Sequence, residues 1–387
     1  FADKGWLEFI ADFGHAKHFF PGADVFPCVL VVQRPLPGRD APESADVCVI
    51  PRDLVPRKGL QQAVTEATFP LPRLTFTREA WVLEPKPVMD LLDKIRANGV
   101  PLAEYARVKP LYGIKTGLNE AFLINSTERE KLVYEDPSSA QLIRPYLRGQ
   151  DIDRWHSPDS GLHMIVLKSS GNFPWPWANA ASEGEAERIF AATYPGLHKR
   201  MQTFENTGLD PKTGKPTGLR HREDQGRYWW ELRACDYYEA FDQPKVLYVD
   251  ITWSASFSLD MSGRFTNNTG YFIPTGSQWL TSVLNAPIGW HFAWRKAQHG
   301  KDEALRYFTS FVETYPIPPM PDGFEDLNLV PQMAALKSQV SEAGSLITNW
   351  LRHEFSLEKP GPALSAPHTF DADGFATAVR ATLPKRQ

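Results

Sequence analysis

Cysteine is scarce in this sequence, and the few residues of that type stand far apart. The chain has three cysteines among 387 residues, Cys28, Cys48 and Cys235, and it has no Cys-x-x-Cys pair. Disulfide frameworks and most structural zinc sites are built from closely spaced cysteines. The composition argues against both and predicts a protein of the reducing cytoplasm.

Long apolar runs and a leader segment are missing as well. The longest apolar run, at 25–32, is far shorter than the roughly 20 residues that a membrane-spanning helix needs. The chain begins FADKGWLEFIADFG, which is patterned like the interior of a domain rather than like a signal peptide. We therefore expect no membrane partner, and we expect the chain to be a fragment of a longer protein.

The chain also lacks an overall positive charge. It has 42 Lys and Arg against 46 Asp and Glu, a formal net charge of −4. Binding to nucleic acid depends on cations that face the phosphates, so it would require a local basic surface here. Residues 199–233 supply one candidate, because they contain eight Lys and Arg but five Asp and Glu.

Proline and tryptophan, by contrast, are abundant, with 33 and 12 residues. Proline removes a backbone donor and interrupts helices and central strands, so many irregular connections are expected. Short strand-like runs alternate with helices through the centre of the chain, and helical periodicity prevails after about residue 279. The sequence predicts an α+β fold, with an irregular strand-rich domain followed by C-terminal helices.

A chain of this length exceeds the usual size of one hydrophobic core, so two domains are expected from length alone. The strand patterns of the first 55 residues include an apolar run at 25–34 that predicts a buried strand. Two or three strands do not form a stable domain alone, which indicates an incomplete sheet. The predicted parts are the end of that sheet at 1–55, a linker and helix at 56–104, the strand-rich domain at 105–320 and a helical segment at 321–387.

The stretch YGIKTG, at 112–117, contains the residue types of a phosphate-binding loop but not their spacing. That motif needs one glycine directly before Lys-Ser/Thr and another five positions earlier, whereas Ile114 separates Gly113 from Lys115. Catalytic and metal motifs are missing too. The Pro158–Asp159 pair with Lys168 lacks the further acid of a nuclease site, so no catalytic, cofactor or metal residue is predicted.

Polar residues around the same glycines suggest contacts to DNA phosphates instead. Lys115, Thr116 and Asn119 offer donors at a turn, and Arg148 before Gly149 offers another on a loop. The alternative is an ordinary surface turn with solvated charges.

The basic and aromatic stretch at 218–233 has the chemistry most typical of DNA binding. Arginine contacts phosphates or forks onto guanine edges, and lysines on a preceding loop add charge. The alternative is that Trp229 and Trp230 anchor a core while the arginines pair with nearby acids. We expect a mixture, with at least one core tryptophan; the candidate DNA contacts are Lys212, Lys215, Arg220, Arg222, Arg227 and Arg233.

Two further segments have both a structural and a functional interpretation. Asn267 and Asn268 stand in FTNNTGYF, where asparagine could pair with adenine or could simply form a hairpin turn. Trp175 and Trp177 could stack on bases, but packing in the core is favoured.

Taken together and in order, several segments resemble a known family. They are YGIKTGLNEAF at 112–122, IRPYLRGQDI at 143–152, YWWELRACDYYEAFDQPKVLYVDIT at 228–252, FSLDMSGRFTNNTGYFIP at 257–274, and then LTSVLNAP and YPIPP. This series resembles the TaqI-like C-terminal specificity domain of type II restriction-modification adenine methyltransferases, over about 105–320. The first 55 residues then look like the last strands of a truncated α/β methyltransferase sheet.

The resemblance implies recognition of double-stranded DNA and presentation of an adenine to a methyltransferase domain located N-terminally in the same polypeptide. The cofactor-binding glycine motif and the Asn-Pro-Pro-Tyr catalytic motif of that family are absent from this chain. S-adenosylmethionine, and magnesium in relatives with a fused endonuclease, would therefore belong to the full-length protein. The alternative from another class is a protein-interaction module of a phage-defence complex.

Overall fold

We analysed a computed structural model of the chain, which describes residues 5–14, 19–20, 25–50, 58–78, 81–356, 364 and 369–382. Its helices are α1 (Leu60–Ala67), α2 (Lys86–Ala97), α3 (Leu102–Ala106), α4 (Asn119–Phe122), α5 (Ser126–Glu135), α6 (Glu183–Thr193), α7 (Pro195–Thr203), α8 (Gln278–Asn285), α9 (Pro287–Lys296), α10 (Thr309–Val312), α11 (Leu329–Phe355) and α12 (Ala372–Thr382).

The strands are short and form several small sheets. They are β1 (Trp6–Asp12), β2 (Cys28–Gln33), β3 (Ser44–Val49), β4 (Thr68–Pro72), β5 (Val100–Pro101), β6 (Leu111–Tyr112), β7 (Leu123–Asn125), β8 (Ile143–Leu147), β9 (Leu162–Ile165), β10 (Gly208–Leu209), β11 (Pro216–Thr217), β12 (Lys245–Val249), β13 (Ile251–Thr252), β14 (Ser258–Asp260), β15 (Phe265–Thr266), β16 (Gly270–Ile273), β17 (Gln298–His299), β18 (Leu305–Arg306) and β19 (Pro316–Ile317). Helices combined with small open sheets confirm the predicted α+β class.

The chain divides into two compact units, and each contains segments that are distant in sequence. Unit 1 comprises Phe1–Leu111, Val249–Ala255 and Ala286–Pro319, and unit 2 comprises the rest. The predicted boundary near residue 105 lies close to the first of these divisions. The sequence did not indicate that residues 286–319 belong with the N-terminal segment, because that grouping depends on long-range packing.

Unit 1 is built on a four-stranded sheet in the order β2-β1-β3-β4. Strands β1 and β3 are parallel, and the other neighbours are antiparallel. Apolar residues such as Leu7, Ile10 and Val47 pack beneath the sheet, with Leu71 of β4 among them. Residues 58–78, expected as part of a linker, thus supply helix α1 and strand β4. Positions 51–55, which end the predicted incomplete sheet at 1–55, lie outside the described residues.

Strand β2 corrects one expectation. Its apolar run predicted a buried strand, but Val29, Leu30 and Val31 are 42–49% exposed. The reason is position, because β2 forms the outer edge of the sheet among the described residues. Periodicity identifies an apolar strand but does not show whether a neighbour covers it.

Unit 2 contains two four-stranded sheets, in the orders β14-β12-β16-β6 and β15-β8-β9-β7. Its core is unusually aromatic: Trp177 stacks on Trp175 at 4.8 Å, and Trp230 stacks on Phe190 at 5.3 Å. Trp229 and Trp230 are both buried, which confirms the expectation of a core tryptophan in that pair. The core interpretation of Trp175 and Trp177 is confirmed as well.

The C-terminal part of unit 2 is helical, as predicted. Helix α11 has 27 residues, of which Val330 and Leu351 are buried. Leu351 packs with Val379 of α12. Among the described helices, α11 included, none has both the length and the apolarity needed to cross a bilayer.

Candidate nucleic-acid interface

The turn at 266–270 is the point where three distant segments of unit 2 meet. Gly113 N donates to Gly270 O at 2.9 Å, and Ile114 N donates to Thr266 O at 2.7 Å. Strand β8 runs parallel to β15 with Leu147 opposite Thr266, so Arg148 follows directly beside the turn. The YGIKTG segment, the Arg148 loop and the asparagine turn therefore form one surface region, which we call the 266–270 cluster.

Glycines make this convergence possible. A Cβ atom on Gly113 would overlap the backbone oxygens of Thr266 and Asn267, and one on Gly149 would lie 2.5 Å from Thr269 Oγ1. Both glycines thus allow close approach within the protein itself. The close approach at Gly113 is therefore made to the protein's own backbone.

Lys115 and Arg233 share one carboxylate. Lys115 Nζ lies 2.8 Å from Asp224 Oδ2, and Arg233 Nη1 lies 3.5 Å from Asp224 Oδ1. The two cationic side chains are 50% and 52% exposed, whereas that of Asp224 is 12% exposed. The carboxylate therefore lies beneath the two cations and holds them at the surface.

Arg148 is arranged in the same way. Its Nε and Nη2 atoms donate to the two oxygens of Asp151, each at 2.8 Å, and its side chain is 48% exposed against 14% for Asp151. The hydrogen bond to Asp151 raises the pKa of Arg148, and the same bond lowers the pKa of Asp151. Both groups are charged at neutral pH, with the cation outermost.

A cleft of about 260 Å³ adjoins Lys115 and Arg233. Tyr112 and Tyr237 line it and contact each other edge to face, with ring centroids 6.1 Å apart. Tyr237 also donates its hydroxyl to Tyr112 O at 3.1 Å. The cleft thus combines aromatic walls with two exposed cations and one exposed carboxylate, that of Asp236.

The two asparagines of the turn are not equivalent. Asn267 Oδ1 accepts from Thr269 N at 3.2 Å and from Thr269 Oγ1 at 2.6 Å, so its acceptor is engaged within the turn. Asn268 is exposed. The predicted turn is present, but it is not a hairpin, because β15 and β16 enter different sheets. Adenine readout requires both groups of the amide, which favours Asn268.

Thr116 and Arg222 are buried, and this corrects their prediction as DNA contacts. Thr116 is 3% exposed and Arg222 is 8% exposed. Arg222 donates to the carbonyl oxygens of Thr116, Asp224, Trp229 and Glu231, and it lies 4.7 Å from the ring of Phe122. Burial lowers the pKa of Arg222 to about 10, although nearby acids oppose the shift. Arg222 is therefore an interior group whose hydrogen bonds connect residue 116 to the segment at 224–231.

Asn119, Arg220 and Arg227 are engaged in contacts within unit 2. Asn119 is exposed at the start of α4 and accepts from Thr116 Oγ1 at 2.7 Å. Arg220 pairs with Glu205 at 2.5 Å and with Glu183 at 2.6 Å, and Arg227 donates to Ala178 O at 2.7 Å. Arg220 is engaged by two carboxylates, which leaves it less free for phosphate than the other exposed cations.

Lys212 and Lys215 stand on the loop between β10 and β11, and both are exposed. No carboxylate of the described residues pairs with either lysine, in contrast to Lys115, Arg148 and Arg233. The described residues likewise include no group of three or more His, Cys, Asp or Glu that could hold a metal ion.

No known protein-family profile matches the chain. The chain is similar to the solved structure of MmeI, a type IIL restriction-modification enzyme in complex with DNA, with 12% identity and a TM-score of 0.40 over 99% of this chain and 44% of that one. It is also similar to the type IIG restriction endonuclease BpuSI, with 12% identity and a TM-score of 0.36 over 86% of this chain and 39% of that one. The chain spans less than half the length of either enzyme.

Sequence reasoning included the pairing of arginines at 218–233 with nearby acids, but it missed Asp151 and the aromatic residues of this candidate interface. Asp224 and Asp151 were not singled out as orienting groups, and Tyr112 and Tyr237 were not singled out as cleft walls. A signal existed for Asp151, which stands three residues after Arg148 at salt-bridge distance. No local signal connects Asp224 to Lys115, because more than one hundred residues separate them.

Proposed function

We propose that this chain is the DNA-recognition part of a restriction-modification protein and that it binds double-stranded DNA through the 266–270 cluster of unit 2. The observation that carries the proposal is that cationic side chains are exposed while their carboxylate partners lie beneath them. The cations exposed at this surface are Lys115, Arg148 and Arg233, while the carboxylates that pair with them, Asp224 and Asp151, are largely buried. A chain with net charge −4 thereby presents cations to a partner.

The roles divide as they do in other protein–DNA interfaces. Lys115, Arg148 and Arg233 would contact phosphates and fix the register, because charge-assisted bonds to phosphate carry most of the affinity. Asn268 would read a base edge in the major groove. The carboxylates hold the cations at the surface, where DNA phosphates would compete with them for the positive charge.

In the longer protein we expect an N-terminal methyltransferase domain of the same polypeptide to act on an adenine that this part positions. That domain would bring S-adenosylmethionine and, where an endonuclease is fused, magnesium. The family resemblance of the sequence motifs supports this extension, as does the absence of cofactor and catalytic motifs from this chain. We place its action in the cytoplasm.

The test measures binding of the purified chain to a mixed-sequence duplex by fluorescence anisotropy across a salt series. We expect affinity to fall steeply with salt. Lys115→Ala should weaken binding and reduce the salt slope by about one, whereas Asp224→Asn should strengthen binding about twofold to fivefold at low salt, since exposed ion pairs are worth up to about 1 kcal/mol.

Lys131→Ala is the matched control, because Lys131 is an exposed lysine of unit 2 on α5 that pairs with Glu135. It should leave both affinity and slope unchanged. Equal losses from Lys115→Ala and Lys131→Ala, or weaker binding by Asp224→Asn, would show that the cluster is not the interface.

A protein-interaction module of a phage-defence complex is the second candidate, and the exposed apolar edge of β2 favours it. Apolar protein contacts respond weakly to added salt, whereas phosphate contacts are lost. A chain that binds no duplex at low salt would support this candidate against DNA recognition.

A further inference from the structure

We propose that the hairpin of β10 and β11 enters the major groove of DNA as a two-stranded ribbon, and that Leu209 on it contacts thymine methyl groups. This inference rests on the proposed function, and it identifies an element outside the 266–270 cluster. It concerns residues 208–217, which we call the lysine hairpin.

The lysine hairpin is anchored firmly at its base. Gly208 pairs with Thr217 and Leu209 pairs with Pro216 in antiparallel register. Thr207 N donates to Thr217 O at 2.9 Å, and the hydroxyls of the same two threonines lie 3.0 Å apart. A defined base gives the projecting loop a fixed direction.

Its loop is ordered from within by Asp210. The Asp210 carboxylate accepts from Lys212 N at 2.9 Å, from Thr213 N at 2.7 Å and from Thr213 Oγ1 at 3.0 Å. Gly214, at φ 67°, then lets the chain turn back, and Asp210 N donates to Lys215 O at 2.8 Å. Because its own loop satisfies this carboxylate, the tip can present its lysines without an opposing ion pair.

The charge of the lysine hairpin differs from that of the 266–270 cluster. In the described part of the chain, Lys212 and Lys215 have no carboxylate partner, so their full charge faces solvent. Phosphate contacts by such cations displace counterions and need no internal bond to break. The tip is therefore suited to the phosphates that border a groove.

The width of the lysine hairpin determines which groove of DNA can accept it. Two paired strands lie about 4.8 Å apart before side chains are counted, so the ribbon is too wide for a minor groove of about 6 Å. A major groove of about 12 Å accepts a two-stranded ribbon. Thymine displays its methyl group there, and an apolar side chain is the group that reads it.

Leu209 provides that side chain. It is 67% exposed on the ribbon and pairs with Pro216, in the same hairpin as the two lysines. A single exposed leucine is ordinary on a protein surface. Its place on a preorganised cationic ribbon is what gives it a role, because the ribbon would carry it to base edges.

The experiment compares duplexes with and without the thymine methyl. A random-sequence duplex library is enriched on the wild-type protein and then amplified with either thymidine or deoxyuridine triphosphate. We expect the wild-type protein to bind the uracil pool more weakly, by about fourfold for each methyl group buried. Leu209→Ala should bind both pools equally, at about the affinity of the wild-type protein for uracil DNA.

Leu346→Ala is the matched control, since Leu346 is 71% exposed on α11 of the same unit. It should preserve the difference between the pools. Salt-sensitive binding with a thymine preference that Leu209→Ala leaves intact would overturn this inference but not the proposed function. Loss of affinity in Leu209→Ala without any thymine preference in the wild-type protein would also overturn it. No binding by the wild-type protein at low salt would overturn the proposed function, and this inference with it.

Discussion

At the scale of single residues, the acids of unit 2 decide what its cations can do. Asp224 and Asp151 lie beneath exposed cations and orient them outward. Glu231 has a different role: it is fully buried and accepts from Ser170 N at 3.0 Å and from Trp177 Nε1 at 2.8 Å. Asp224 and Asp151 thus orient exposed cations, whereas Glu231 accepts hydrogen bonds in the interior.

The buried pair of Lys245 and Asp260 is the clearest case of an interior ion pair. Lys245 Nζ lies 2.7 Å from Asp260 Oδ2, and the side chains are 0% and 2% exposed. Burial alone would raise the pKa of Asp260, but the Lys245 ammonium and hydrogen bonds from Ser262 and Arg264 N outweigh it and lower the pKa. The carboxylate is therefore ionised in the folded protein well into the acid range.

The Lys245–Asp260 pair predicts how stability depends on pH. A carboxyl whose folded pKa is lowered stabilises the fold above its unfolded pKa of about 3.9, and this contribution is lost as the pH falls through the folded value. Urea unfolding of the wild-type protein should show a free energy of unfolding that decreases from about pH 5 towards pH 2.

Asp260→Asn leaves a buried ammonium unpaired, which should cost about 3–5 kcal/mol at pH 7. Its free energy of unfolding should then decline less steeply with acid than that of the wild-type protein. Asp90→Asn, which removes an exposed partner of Lys86, is the control and should change little. A parallel acid decline in the Asp260 variant and the wild-type protein would contradict the role of this pair.

At the scale of elements, sequence patterns identified individual elements but not the tertiary contacts among distant segments. The helix expected within 56–104 appears as α2, and α11 lies in the segment for which helical periodicity was predicted. The convergence of Gly113, Gly149 and the 266–270 turn was not predictable, since it joins positions more than one hundred residues apart. Propensity and periodicity describe local structure, whereas a site assembled across sheets depends on packing.

Gly113 tests that convergence. We expect Gly113→Ala to destabilise unit 2 by about 1–3 kcal/mol or more, because the new Cβ would overlap the backbone at Thr266 and Asn267, which cannot move aside as a flexible side chain could. It should also weaken DNA binding by displacing Lys115 and the asparagine turn. Thermal unfolding and anisotropy measure the two effects.

The matched control is Gly184→Ala, where no atom lies within 4 Å of the new Cβ and the residue is in helix α6. Alanine is favoured over glycine in a helix by up to about 1 kcal/mol, so this variant should be as stable as the wild-type protein or more so. Equal stability of both variants would show that the close approach at Gly113 is relaxed in solution.

At the scale of the whole molecule, the net charge of −4 and the exposed apolar strand have different consequences. Because the net charge is negative, we expect nucleic acid to bind only where cations are concentrated, on parts of unit 2. Unit 1 contributes a sheet whose outer strand β2, among the described residues, exposes Val29, Leu30 and Val31. Open apolar edges pair with other strands unless something covers them.

The β2 edge predicts the behaviour of the isolated chain. In the longer protein that we propose, the methyltransferase domain would cover β2, but the chain alone leaves it open to other copies. We expect concentration-dependent self-association by light scattering. Val29→Lys with Val31→Lys should suppress it, because edge lysines oppose strand pairing, while DNA affinity should stay unchanged, since β2 belongs to unit 1.

Leu74→Lys provides the control for that experiment. Leu74 is 91% exposed in unit 1 but stands alone, outside any edge strand, and scattered exposed apolar residues are ordinary. It should leave self-association as it is in the wild-type chain. If Leu74→Lys suppresses association as strongly as the two β2 lysines do, added charge is the cause, and the apolar edge is not the site where copies meet.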